Sequence, residues 1–257
     1  MRVNTTKTKL QEGRVVFGGI VGENAPAQIE TLGALGFDFI MIDCEHGPMS
    51  LSDVENLVRA CESFAITPLA RVPNHAPDTI LRFLDRGVQG VIVPHVNTAQ
   101  QAQAIASAAR YHPEGHRSIG STRAHDYNLG VSRAESLRWQ NDQTLVIPMV
   151  EDVEAVKNLD AILAVPGVDV IHVAPNDLAQ SMGFPDESEV RAAQRDVITR
   201  ARAAGKYAGG GGNAPGDAEG VASLINVGAT FITVPALGLM RVGAELFKHN
   251  IEAALQK

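Results

Sequence analysis

The 257-residue chain contains only six lysines, and none follows a strand-like run. Lys7 and Lys9 lie near the start, Lys157 and Lys248 fall in helical stretches, Lys206 opens an apolar run, and Lys257 is the last residue. Carbon–carbon chemistry beside a carbonyl runs either through a lysine Schiff base or through a carbonyl polarised by a metal ion. The first route finds no lysine where it needs one. Cysteine is scarcer still. Cys44 and Cys61 offer no disulfide framework and fit a reducing cytoplasm. With 5% aromatics, a formal charge of -7 and no basic stripe, the chain is a poor match to a nucleic-acid partner held by phosphate neutralisation. No apolar run reaches the roughly 18 residues of a membrane span. The opening "MRVNTTKTKLQEG" lacks the apolar core of a signal peptide, so a cytoplasmic protein without membrane contact is expected.

What is present has a beat. Short runs rich in Val and Ile read as strands at 15–20, 37–43, 67–72, 90–96, 144–151, 168–174, 206–210 and 230–236. Amphipathic, Ala-rich stretches alternate with them at 25–35, 51–63, 77–86, 98–110, 152–163, 187–204 and 217–226, and a helix near 237–255 closes the chain. Apolar strands without clean alternation are buried on both faces, as parallel strands are. Length alone allows one large domain or two small ones. Eight strand–helix units in about 250 residues match a single (β/α)8 TIM barrel over 1–257. Gly36, Gly87, Gly167, Gly205 and Gly228 stand as helix stops before strands. An open doubly wound sheet is the competitor, but "GGIVGENAP" after the first strand lacks the GxGxxG spacing. Residues 111–143 are long and polar, and they read as an extended loop on the active face.

In such barrels the chemistry sits on the loops after the strands. Strand two ends in Asp43-Cys44-Glu45-His46, strand three in Arg71, strand five in Glu151, and strand six in "APND" with Asn176 and Asp177. Glu151 and Asp177 could each give one oxygen to Mg²⁺ or Mn²⁺, with water and a chelating substrate completing the shell. Each could equally cap the helix that follows it. His46 is either structural or a base, since imidazole titrates near neutral pH. Arg71 either pairs with a carboxylate such as Glu45 or faces an anionic intermediate. His95 and His172 read as packing or supporting residues. His75, His112, His116, His125 and His249 read as loop or surface positions.

"FDFIMIDCEHGP", "LARV", "GVIVPHVNTAQQA", "VEDVEAVKNLDAI" and "GVDVIHVAPNDLAQSMG" resemble the HpcH/HpaI aldolases, class II metal-dependent pyruvate aldolases of the 4-hydroxy-2-oxoheptanedioate aldolase type. The likeness runs from about residue 13 to 235, with the motifs in order and at matching spacing. It implies that Glu151 and Asp177 ligate a divalent cation (Mg²⁺, Mn²⁺ or Co²⁺) and that His46 is the base. Arg71 would stabilise an enolate and an aldol alkoxide. The N–H groups of Asn176 and Asp177 would hold the carboxylate of pyruvate or hydroxypyruvate, with an aldehyde as second substrate. Either Asp43 or Asp85 would raise the basicity of His46, Asp85 by reaching a neighbouring subunit's site. The resemblance also implies a homohexamer, a trimer of dimers, with the C-terminal helix at 237–255 exchanged between subunits.

Two departures bear on the acceptor aldehyde. Met149 stands where such enzymes often carry Gln, and "VPALGLMRVGAE" lacks their small-polar and acidic pattern. The rival readings are a CoA-thioester C–C lyase, a sugar-phosphate isomerase binding phosphate on "GGGGN" (209–213), and a binding protein on the same scaffold.

Overall fold

The computed structural model describes residues 2–256. Among them, eight parallel strands close into a barrel in chain order. They are β1 (Val16–Val21), β2 (Phe39–Asp43), β3 (Thr67–Arg71), β4 (Gly90–Val93), β5 (Leu145–Val150), β6 (Val170–Val173), β7 (Tyr207–Gly210) and β8 (Phe231–Pro235). Helix α1 (Thr5–Gln11) precedes them, and α2 (Pro26–Ala34), α3 (Leu51–Ser63), α4 (Pro77–Asp85) and α5 (Ala99–Ala109) follow β1 to β4. Helix α6 (Arg133–Gln143) leads into β5, which is followed by α7 (Val153–Lys157) and α8 (Leu159–Leu163). Then α9 (Pro175–Ser181) and α10 (Glu187–Ala203) follow β6, α11 (Ala218–Asn226) follows β7, and α12 (Ala236–Leu255) follows β8. This is the (β/α)8 barrel that the sequence pattern implies.

The missing alternation has a simple cause. In β2, Phe39 and Met41 enter the lumen while Ile40 and Ile42 pack under the helices, so both faces are apolar. Phe39 stacks on Phe231 across the lumen, ring centroids 4.2 Å apart. A Cβ on Gly18 would lie 2.1 Å from the Phe39 ring, so only glycine leaves room for that stack. All five glycine stops have positive φ, as left-handed helix termination requires.

Four details differ from the sequence reading. The helix expected over 152–163 breaks at Asn158, whose side chain donates to the Asn97 carbonyl at 2.8 Å. Helix α1 had no forecast; it plugs the amino-terminal mouth with Leu10, and Asn4 caps it. Residues 111–143 are not a loop on the active face. They connect α5 to the start of β5, so they lie at the amino-terminal end of the barrel, and they contain α6 and a 3₁₀ turn (Arg123–Asn128). Polarity revealed the length of this connector but not its side; chain order decides that. His125 is not a surface residue but is buried, bonded to the Tyr111 hydroxyl at 2.7 Å and Ser136 Oγ at 2.9 Å.

Helix α12 has no buried residue and exposes Met240, Leu246, Phe247, Ile251 and Leu255. Among the described residues, no helix is long and apolar enough to cross a membrane.

Candidate active site

Parallel pairing places Asp43 directly opposite Arg71, at the carboxyl ends of β2 and β3. The two side chains form a bidentate pair, Arg71 Nε to Oδ1 at 2.9 Å and Nη2 to Oδ2 at 2.6 Å. The third guanidinium nitrogen reaches Glu45 Oε2 at 3.1 Å. Asp43 Oδ1 also accepts the main-chain N–H groups of Glu45 and His46, at 3.2 and 3.4 Å, which turns the chain over the rim. Burial pushes the Asp43 carboxyl up, but Arg71 and those N–H donors outweigh it and hold it below the usual carboxylate range. The acids Asp43 and Glu45 are thus held at the rim by one partly buried arginine.

His46 is different. Its ring is 68% exposed, and its nearest acid is Glu45, with Nε2 3.9 Å from Oε2. Asp43 contacts the main chain of His46 and not its imidazole. Asp85 ends α4 at the opposite, amino-terminal end of the barrel, where Arg117 Nη2 bonds it at 2.8 Å. Within one chain, neither acid orients the His46 ring.

Glu151 follows β5 and is 2% exposed. It caps no helix: α7 takes Asp152 at its N-cap position, without a side-chain cap bond. The Glu151 carboxylate instead accepts the His95 main-chain N–H at 2.6 Å. Asp177 sits in the first turn of α9, which also lacks a side-chain cap bond. Neither acid therefore makes a side-chain cap bond, although Asp177 lies in the first turn, where a negative charge suits the helix dipole. Burial pushes the Glu151 carboxyl up to about 7; His95 opposes this, and the nearby charges of Asp177 and Glu45 add to it. Negative charge is thus in excess around Glu151, which suits a hard cation. No group of three or more His, Cys, Asp or Glu side chains among the described residues has metal-holding geometry. A Mg²⁺-type ion commonly takes one or two carboxylates and keeps its waters, so Glu151 and Asp177 are the two side chains that could hold one. Asn176, the residue before, is exposed, and the N–H groups of both residues open α9, where helix geometry leaves them without an acceptor.

Of the two readings for His95, packing or support, the structure favours support: its side chain is 57% exposed, with Nδ1 3.2 Å from Glu151 Oε1 and 3.3 Å from Asp152 Oδ2. It stands after β4, so the strand-end criterion applied to its neighbours covers it too. His172 does pack: it is buried edge-on to Phe231, its pKa lowered to about 3 by burial and by Arg71. Gly211 lies over it, and a Cβ there would meet the ring at 2.5 Å. The Gly211 N–H is already bonded to the Val173 carbonyl at 2.8 Å, which weakens the case for a phosphate cradle on "GGGGN". Beside Asn176 opens a cavity of about 370 Å³, lined also by Gln194, Gly212 and Asn213.

A family model for HpcH/HpaI aldolase/citrate lyase matches residues 19–234. The chain is 35% identical over 235 residues to a 2-keto-3-deoxy-L-rhamnonate aldolase of Shigella sonnei, covering 90% of this chain and 86% of that protein. Among solved structures, an HpcH/HpaI aldolase/citrate lyase family protein from Burkholderia cenocepacia aligns with TM-score 0.89 at 27% identity, over 97% of this chain and 100% of the other. The citrate synthase SbnG aligns with TM-score 0.84 at 28% identity, covering 98% and 99%.

Proposed function

Because the chain belongs to the HpcH/HpaI aldolase/citrate lyase family, we propose that it is a divalent-metal-dependent aldolase. It joins pyruvate or hydroxypyruvate to an aldehyde, giving a 4-hydroxy-2-oxo acid, and cleaves the same bond in reverse. The observation that carries this reading is the meeting of Glu151, Asp177 and Glu45 at one rim with Arg71 and the exposed ring of His46.

A divalent cation (Mg²⁺, Mn²⁺ or Co²⁺) on Glu151 and Asp177 supplies electrostatic stabilisation of the charge that builds on the 2-oxo acid when C3 loses a proton. The N–H groups of Asn176 and Asp177 hold the substrate carboxylate. His46 takes the C3 proton through its exposed ring. In cleavage it takes the proton of the 4-hydroxyl group instead. Arg71, immobilised by Asp43 and Glu45, faces the developing oxyanion in a fixed orientation. Asp43 acts through Arg71. Asp85 can serve His46 only from a second copy of the chain, and α12, with its exposed apolar residues, is the segment we assign to self-association in an exchanged hexamer. A solution mass equal to the 27.3 kDa monomer would exclude that assembly.

The reaction is tested by deuterium exchange at pyruvate C3, followed by NMR with Mg²⁺, Mn²⁺ or Co²⁺, and by a panel of aldehyde acceptors. The activity is expected to disappear with EDTA, and borohydride with pyruvate is expected to trap no adduct. His46→Ala should slow exchange by roughly 10²-fold. A trapped adduct, or exchange undiminished by EDTA, sinks the metal-dependent reading.

A further inference from the structure

The peptide unit joining Pro94 and His95 is held on both sides. Its carbonyl oxygen accepts a hydrogen bond from His75 Nε2, and its N–H donates to Glu151 Oε1 at 2.6 Å. A carbonyl can only accept, so the proton of that first bond is on His75. The unit sits at a conformational cost. His95 has φ +53°, in the left-handed region. That region costs a non-glycine residue about 1–2 kcal/mol, although histidine enters it more readily than most. Such backbone persists where its surroundings over-determine it, and functional sites are where it gathers. Here the turn aims an N–H at a carboxylate that burial and two neighbouring acids would otherwise leave poorly compensated.

We propose that the Pro94–His95 peptide, turned by the left-handed backbone of His95 and braced from behind by His75, is the positioning element for Glu151. By occupying Oε1 it restrains the carboxylate, and Oε2 would remain available to a divalent cation. The three groups form one hydrogen-bonded chain, His75 to carbonyl and N–H to carboxylate, so each bond polarises the next. The imidazole of His95 is secondary; its backbone does the positioning. This rests on the reading that Glu151 holds a divalent cation.

The test is Mn²⁺ affinity of the purified full-length chain, measured from the electron paramagnetic resonance signal of free Mn²⁺. His95→Gly and His95→Asn keep the N–H and tolerate left-handed backbone, so both should bind Mn²⁺ as the wild type does. His95→Val keeps the N–H chemically, but its β-branch opposes that backbone. It should weaken binding by about tenfold or more, the usual effect of losing a partner behind a metal ligand. His75→Ala should weaken binding in the same direction, and His75→Gln, which restores an N–H donor, should recover it. This second pair decides the matter even if the valine variant does not fold. Equal losses in the Gly and Val variants would transfer the role to the imidazole and overturn the proposal. Unchanged affinity in His75→Ala would overturn it too. Failure of the wild type itself to bind Mn²⁺ would instead remove the metal-dependent reading beneath it.

Discussion

The two ends of the barrel handle charge in opposite ways. At the amino-terminal end, cations and acids are matched. Arg117 meets Asp85 at 2.8 Å, Arg110 meets Asp169 at 2.7 Å, Lys9 meets Asp38, and Arg123 meets Glu62. At the carboxyl-terminal end, Glu45, Glu151, Asp152 and Asp177 face one arginine and two exposed imidazoles. A buried charge with its partner is a structural element; acids left in excess are a place for a cation. The comparison therefore separates stability from chemistry along one axis.

Substitutions at the two ends should have opposite signatures. Glu151→Gln should reduce pyruvate C3 exchange by about 10³-fold, the equivalent of several kcal/mol of lost charge stabilisation. Its melting temperature should hold or rise, because a buried carboxylate repelled by its neighbours has been removed. Exchange at the wild-type rate would mean that the rim is not the site. Arg110→Met should do the reverse. It takes the principal partner from Asp169 and should lower stability by about 3 kcal/mol in denaturant titration. Exchange per folded molecule should not change, and a loss there would break the division between the ends.

The smallest effect depends on pH. His172 is depressed to about 3, against about 6.5 in an unfolded chain. Below pH about 6.5 the unfolded chain takes up a proton that the folded one refuses, so stability falls as pH drops, by up to ~1.4 kcal/mol per pH unit. Glu151, raised to about 7, acts with the opposite sign in metal-free protein: its contribution is lost as pH rises through that value. The informative measurement is therefore a difference. His172→Met, a packing replacement for a ring whose Nδ1 has no partner, should gain stability on the wild type as pH falls from 6.5 to 4.5. Parallel profiles would show that His172 takes up its proton in the folded state.

Much of this site was readable from strand ends alone. Asp43, Arg71, Glu151 and Asp177 follow from asking which polar residues close an apolar run. His95 obeys the same criterion, but strand-end position alone leaves packing and support open; the contact with Glu151 decides for support. His125 is the deceptive one: a histidine in a polar connector looks exposed until Tyr111 and Ser136 close around it. Asp43 stands three residues from His46 and yet serves Arg71, since register pairs it across to β3 rather than along its own chain.

Periodicity and strand-end chemistry, being local, are written into the order of residues. They carry the eight strands, the glycine stops and the set of acids at one rim. Which atom each acid addresses is not local. Barrel closure brings the β4 loop against Glu151, and the left-handed turn at His95 aims an N–H there, neither of which any short window of sequence contains. The side on which 111–143 lies, and the lack of cover over α12, likewise depend on where the folded chain puts its ends.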